Sequence, residues 1–246
     1  MTSKNIERPL CTLRFNTENT SYEQNLQTLL SLIDEAPKGA IVVAPEVCLT
    51  NFDYDHFDKA ADFAEVATSA LLEASAAKSI ILTMIERRND GIYNIAKVFH
   101  KGEVVHEQAK AHLFRFGGEH DYFSEGSEDE IVLFELDGIK MGIIICFELR
   151  FKTLWQKLEG ADIIAIPAQW GKIRTESFIT LTNALAVINQ CYVAASDTSN
   201  SDMTGMSGII TPFGEEMRNG EKPCLKSIYR QKEIEKMRRY LPVGIE

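Results

Sequence analysis

The sequence predicts an α/β fold: a mixed sheet, or two sheets packed together, with helices outside. Three observations carry that reading. Apolar runs of strand length alternate with segments of helical periodicity. Some neighbouring strands are joined by tight polar turns, which imply antiparallel hairpins. Several apolar runs, Met141 to Ile145 above all, are continuous, as in strands buried on both faces.

Leu10 to Phe15 reads as the first strand. Tyr22 to Ile33 places Leu26, Leu29, Leu30 and Ile33 on one helical face, and Gly39 ends that segment. Ala40 to Ala44 is a short buried strand that runs into Pro45-Glu46. The alanine-rich Asp55 to Lys78 is a helix, and Ser79 to Ile85 the next strand. Arg88-Asn89-Asp90-Gly91 turns into the strand Ile92 to Phe99, and Lys101-Gly102-Glu103 turns into Val104 to Lys110. The segment Phe114 to Asp129 is too long for a routine connection and reads as a functional loop. Strands Ile131 to Glu135 and Ile139 to Ile145 meet at Asp137-Gly138. Thr153 to Glu159 is a short helix, Asp162 to Pro167 a buried strand, and Thr175 to Asn189 a helix. Cys191 to Ser196 and Met206 to Thr211 are strands, and Arg230 to Arg239 is a charged final helix. There is no linker, repeat or low-complexity tract, so residues 1–246 read as one domain.

Composition narrows the function. Hydrophobic content of 45% and charged content of 25% are ordinary for a globular protein. A formal net charge of −10 argues against nucleic acid or an anionic membrane as partner. The five cysteines show no CxxC pair or metal-ligand spacing, and their odd number in a large chain points to a reducing, cytoplasmic setting. Met1 to Arg8 is polar, unlike a signal peptide, and no stretch has the length of a membrane span.

Three strands end in a reactive side chain. Ala40 to Ala44 leads to the carboxylate of Glu46, Val104 to Lys110 ends in the amine of Lys110, and Met141 to Ile145 leads to the thiol of Cys146. Ligands bind at the carboxyl ends of strands in α/β proteins, so a thiol there is a candidate nucleophile. Cys146 alone is equally a buried packing thiol, Glu46 alone a solvated loop acid, and Lys110 alone a surface lysine. Together they supply what cysteine chemistry needs: a base for the thiol and a cation for an oxyanion.

These blocks, Ala44-Pro45-Glu46, Lys110-Ala111-His112-Leu113-Phe114 and Cys146-Phe147-Glu148-Leu149-Arg150-Phe151, resemble those of the nitrilase superfamily, the carbon–nitrogen hydrolases. The resemblance extends through Ile166 to Trp170, Ala184 to Val193 and Ser207 to Gly214, nearly the whole chain. It implies a four-layer αββα sandwich and a Glu–Lys–Cys triad: Glu46 the general base, Lys110 the oxyanion cation, Cys146 the nucleophile. It also implies a second acid, Glu119 in preference to Glu125, and an oxyanion donor in the backbone N–H of Phe147. The activity it implies is hydrolysis of a small carboxamide or N-carbamoyl compound through a thioester, with no metal or organic cofactor, in a homodimer or higher homo-oligomer. A nitrile hydrolase and a catalytically silent scaffold are the alternatives.

The chain departs from the family pattern at Lys152, where a proline is usual, at Gly171 to Arg174 in place of a proline-rich turn, and at Leu185 and Ile188 in place of arginine and glutamate. Trp170 is a candidate pocket wall or core residue. Phe116, Lys172 and Arg174 lie on loops expected near the mouth, the two cations being candidates for a substrate carboxylate or plain surface charges. His112 reads as a structural hydrogen-bonding residue, Arg150 as the partner of Glu148, and Cys48 as packing.

Overall fold

The computed structural model describes residues 5–88, 90–218 and 221–245. Residues 1–4 of the polar N-terminus and Asn89 of the Arg88–Gly91 turn lie outside the described residues. Two mixed sheets form. The first contains β1 (Glu7–Leu13), β2 (Ile41–Val43), β3 (Ser79–Arg88), β4 (Gly91–His100) and β5 (Glu103–Ala109). The second contains β6 (Phe134–Leu136), β7 (Ile139–Ile143), β8 (Ile163–Ala168), β9 (Tyr192–Asp197), β10 (Gly208–Ile210) and β11 (Glu216–Arg218). The last strand, β12 (Cys224–Arg230), returns to the first sheet, whose order is β12-β1-β2-β3-β4-β5; the second is ordered β11-β10-β9-β8-β7-β6. The α-helices among the described residues are α1 (Tyr22–Glu35), α2 (Phe57–Ala74), α3 (Lys152–Lys157), α4 (Thr175–Ile188) and α5 (Gln231–Tyr240), joined by short 3₁₀ turns.

The continuous apolar runs now have a reason. In β2, Ile41 and Val43 point into the core between the sheets, while Val42 points to the cluster under α1 and α2. Side chains alternate along a strand, so both faces being covered demands apolar residues at every position. On the far side, Leu154, Phe178 and Leu185 of α3 and α4 cover the second sheet. The result is four layers, as the resemblance implied. Helix α1 starts where the sequence placed it. Ser21 Oγ accepts from the Gln24 N–H at 3.2 Å, and the Gln24 side chain accepts from the Ser21 N–H at 2.8 Å.

Strands β11 and β12 lie outside the expected set, the first strand is Glu7–Leu13 in place of Leu10 to Phe15, and two further limits differ from expectation near the site. Ile131 to Leu133 is not strand, because residues 128–130 form a 3₁₀ turn held by Glu130. That carboxylate pairs with Arg88 at 2.9 Å and accepts from the Ala109 N–H at 2.7 Å. The Cys146 strand stops at Ile143, because the Ile145 N–H turns away from the ladder to Glu148, 2.8 Å away.

Candidate active site

Glu46, Lys110 and Cys146 each lie just past the C-terminal end of a strand: β2, β5 and β7 respectively. The Glu46 N–H donates to the Ala168 carbonyl at 3.2 Å, tying the end of β2 to β8 of the other sheet. Its carboxylate is fully buried. Oε1 accepts from Lys110 Nζ and Asn94 Nδ2, both at 2.8 Å, and Oε2 accepts from the Gln169 N–H at 3.2 Å.

Lys110 leaves the sheet with its N–H on the Asn94 carbonyl at 2.8 Å. Its side chain is fully buried, and Nζ also donates to Glu119 Oε1 at 2.8 Å. Burial works against the ammonium charge, but the carboxylates of Glu46 and Glu119 outweigh it and hold the amine above the usual lysine range. Glu119 comes from the long loop, and its Oε2 accepts from the Phe114 N–H at 2.9 Å. Burial and then the charge of Glu46 push its carboxyl up against the pull of Lys110. The loop is seated on the lysine itself, since the Gly126 N–H donates to the Lys110 carbonyl at 2.8 Å. A side chain at Gly126 would stand 2.4 Å from the Ala109 carbonyl oxygen, so only glycine fits there.

Cys146 opens a 3₁₀ turn, residues 146–150, with φ at +45°, a left-handed conformation uncommon for a residue with a side chain. The sharp corner points the thiol into the pocket, and Sγ donates to the Gln169 carbonyl at 3.6 Å. Burial first, then the Glu46 carboxylate, push the thiol well above its ordinary range, against the pull of Lys110. The resting thiol is therefore neutral and must lose its proton to a base when it reacts. The Phe147 N–H follows in the first turn, where N–H groups lack intrahelical partners.

Cys146 and Glu119 sit on a cavity of about 490 Å³. Phe52, Tyr54, Phe114 and Trp170 form much of its wall. Arg150, Lys172 and Arg174 bring positive charge to it. Arg174 lies over the Phe114 ring, 5.1 Å from its centroid, and Arg150 over Trp170 at 5.0 Å. Phe116 is 88% exposed on the rim loop and is not among the cavity walls. A space of this size, with charged and polar side chains set among aromatic walls, suits a small polar molecule.

One expectation is overturned. Arg150 does not pair with Glu148: it donates to Ser177 Oγ at 3.0 Å. Glu148 is fully buried and accepts backbone N–H groups from Ala111 at 2.7 Å, His112 at 3.4 Å and Ile145 at 2.8 Å. Burial lifts its carboxyl to about 7 against those donors. His112 stays out of the site, with Nε2 on Glu128 at 2.8 Å and its ring stacked on Phe151. Of the departures, Leu185 is core, whereas Ile188 and Lys152 face solvent. Asn94 and Gln169, which orient Glu46, carried no signal of that role in the sequence; nor did Asp197, which is buried and accepts from the Trp170 N–H at 3.0 Å.

The carbon–nitrogen hydrolase family model matches residues 11–222. The chain is 31% identical to 2-oxoglutaramate amidase of Bacillus subtilis (strain 168), over 94% of each chain. It is 28% identical to deaminated glutathione amidase of Escherichia coli O157:H7, over 78% of this chain and 79% of that one. In fold it matches Saccharomyces cerevisiae Nit3, a member of branch 10 of the nitrilase superfamily, with a TM-score of 0.85 and 22% identity over 97% and 95% of the two chains. This chain belongs to the carbon–nitrogen hydrolase family, in the amidase-like branch of the nitrilase superfamily.

Proposed function

We propose that the protein is a small-molecule amidase that works through a thioester on Cys146. The observation that carries the reading is the buried array in which Lys110 Nζ lies 2.8 Å from both Glu46 and Glu119, beside a neutral thiol at a strained corner. Glu46 takes the thiol proton as Sγ attacks the amide carbon. Lys110 and the Phe147 N–H hold the oxyanion. Glu46 returns the proton to the departing nitrogen, and ammonia or an amine leaves. Water then attacks the thioester, giving its proton to Glu46 and a carboxylic acid as product, and the thiolate leaves to be reprotonated. Glu119 holds Lys110 and positions that water.

Lys172 and Arg174, both at the cavity, bind a carboxylate on the substrate. The amidase relatives support this class: the substrate in one name, 2-oxoglutaramate, is an amide that carries a carboxylate. The reading includes a cytoplasmic homo-oligomer. Free thiols at all five cysteines accord with the first, and the exposed apolar Val187, Ile188, Phe213 and Met217 accord with the second. No helix among the described residues is long and apolar enough to cross a membrane.

The test is ammonia release from glutaramate, succinamate, butyramide and butyronitrile, with C146A beside the wild type. Turnover of amides that C146A abolishes is the expected result. A fully active C146A, or turnover of the nitrile alone, sinks the reading.

A further inference from the structure

We propose that Glu148 is a positioning residue that fixes the nucleophile's turn against the oxyanion cation, an assignment that rests on the amidase reading. The residue after Lys110 and the residue before Cys146 share one carboxylate. Oε1 accepts from the Ala111 N–H at 2.7 Å and the His112 N–H at 3.4 Å, while Oε2 accepts from the Ile145 N–H at 2.8 Å. Glu148 also closes its own turn, its N–H donating to the Ile145 carbonyl at 2.9 Å.

The two chain segments joined in this way come from different sheets, β5 from the first and β7 from the second. Lys110 Nζ and the Phe147 N–H must converge on one oxygen atom in the transition state. Gln108 Nε2 joins the same strands, on the Ile143 carbonyl at 3.3 Å, but a single bond two and four residues back from the donors does not fix their separation. A carboxylate with both oxygens engaged does, because it ties the backbone on each side at hydrogen-bond distance. Full burial removes water as a competitor for those N–H groups and makes each bond stronger. Substrate touches neither carboxylate oxygen, since Glu148 is absent from the cavity wall. Its removal therefore acts on the transition state and spares ground-state binding.

Glutamine separates charge and geometry from bulk. In E148Q the amide oxygen can keep one segment, but the NH₂ must then face an N–H donor of the other, and one side of the clamp opens. Aspartate keeps the acceptor pair on a shorter stem.

The experiment measures kcat and KM of wild type, E148Q and E148D on glutaramate. A thermal melt confirms folding, and intact mass follows the rate of acrylamide addition at Cys146. Addition of a thiol to acrylamide places negative charge on a carbonyl oxygen two carbons beyond the point of attack, so it reads the placement of Sγ against the nearby cation and N–H groups without amide hydrolysis. E148Q is expected to lose about 100-fold in kcat, the order that small misplacements cost, at unchanged KM. Acrylamide addition slows by about tenfold, less than the roughly 100-fold that a lost oxyanion donor costs, because the adduct's oxygen lies off that site. E148D recovers most of both rates. Folded E148Q within about threefold of wild type in kcat and addition rate overturns the proposal, as does a loss confined to KM. If E148Q does not fold, E148D decides: unchanged KM with kcat at or moderately below wild type supports the clamp, and a raised KM at wild-type kcat overturns it. A wild type that turns over no amide defeats the amidase reading alone, and the acrylamide rates then judge the clamp.

Discussion

The two sheets contribute different kinds of chemistry to the site. The first sheet and its loop deliver charge: Glu46, Lys110 and Glu119 form a buried array joined by contacts of 2.8 Å. The second delivers the neutral groups beside them, the Cys146 thiol and the backbone N–H groups of a 3₁₀ turn, and sets the cations Arg150, Lys172 and Arg174 on the cavity wall. The difference teaches where stability and reactivity are coupled. A charge array survives burial only while every partner is present, so under the proposed mechanism its members serve structure and chemistry together. The neutral half carries no such requirement, and its thiol can be removed without leaving a buried charge alone.

Substitution separates the halves. C146A should abolish turnover while shifting unfolding free energy by no more than about 1–2 kcal/mol, the usual range for a single change that leaves no polar group orphaned. K110M should lose turnover as completely and also lose about 3–5 kcal/mol, because two carboxylates remain buried without their cation. Urea unfolding followed by circular dichroism reads both, and a K110M protein as stable as C146A would erase the distinction. A smaller effect is expected at the cavity entrance. K172A and R174A should each raise KM for glutaramate about tenfold, the equivalent of one lost charge contact, with kcat and butyramide turnover unchanged. Steady-state kinetics on the two substrates decides it.

The subtlest contrast lies between two thiols. Cys146 is held well above the ordinary range by burial, so its thiolate grows with pH throughout neutral and mildly alkaline solution. Cys224 in β12 is lowered to about 7 by the Cys11 thiol that hydrogen-bonds to it, so its thiolate saturates above neutrality. Iodoacetamide labelling mapped by mass spectrometry should therefore level off above about pH 8 at Cys224 and keep rising at Cys146. A plateau at Cys146 near neutrality would mean that the array already deprotonates it at rest.

Much of this was legible in the sequence because the reactive groups sit at strand ends, where a local run of apolar residues announces them. Glu46, Lys110, Cys146 and Glu119 each stand inside a contiguous block, and the structure brings Glu46, Lys110 and Glu119 within hydrogen-bond reach. The residues that orient them were not legible. Asn94 meets Glu46 across 48 positions and Gln169 across 123, and no short pattern encodes a contact at that separation. Glu148 acts on backbone N–H groups, which every residue but proline carries, so its partners leave no mark in the sequence. The expected pair with Arg150 failed for a local reason: residues two apart on a helical turn point away from each other. The strand limit at Ile145 failed because the buried Glu148 carboxylate captured a backbone donor next to the ladder, and that at Ile131 because the 3₁₀ turn of residues 128–130 delays the strand.

The bonds between Glu46 and the 168–169 segment have a further consequence. Glu46 N–H to Ala168, Gln169 N–H to Glu46 and Gln169 Nε2 to the Glu46 carbonyl at 3.0 Å all cross from one sheet to the other. The site is thus also a rivet through the middle of the sandwich. Sliding one sheet over the other by a single residue would shear the rivet while leaving each sheet's own ladder intact. Turnover is accordingly a vernier for the alignment of the two sheets, finer than any measure of how much strand the protein retains.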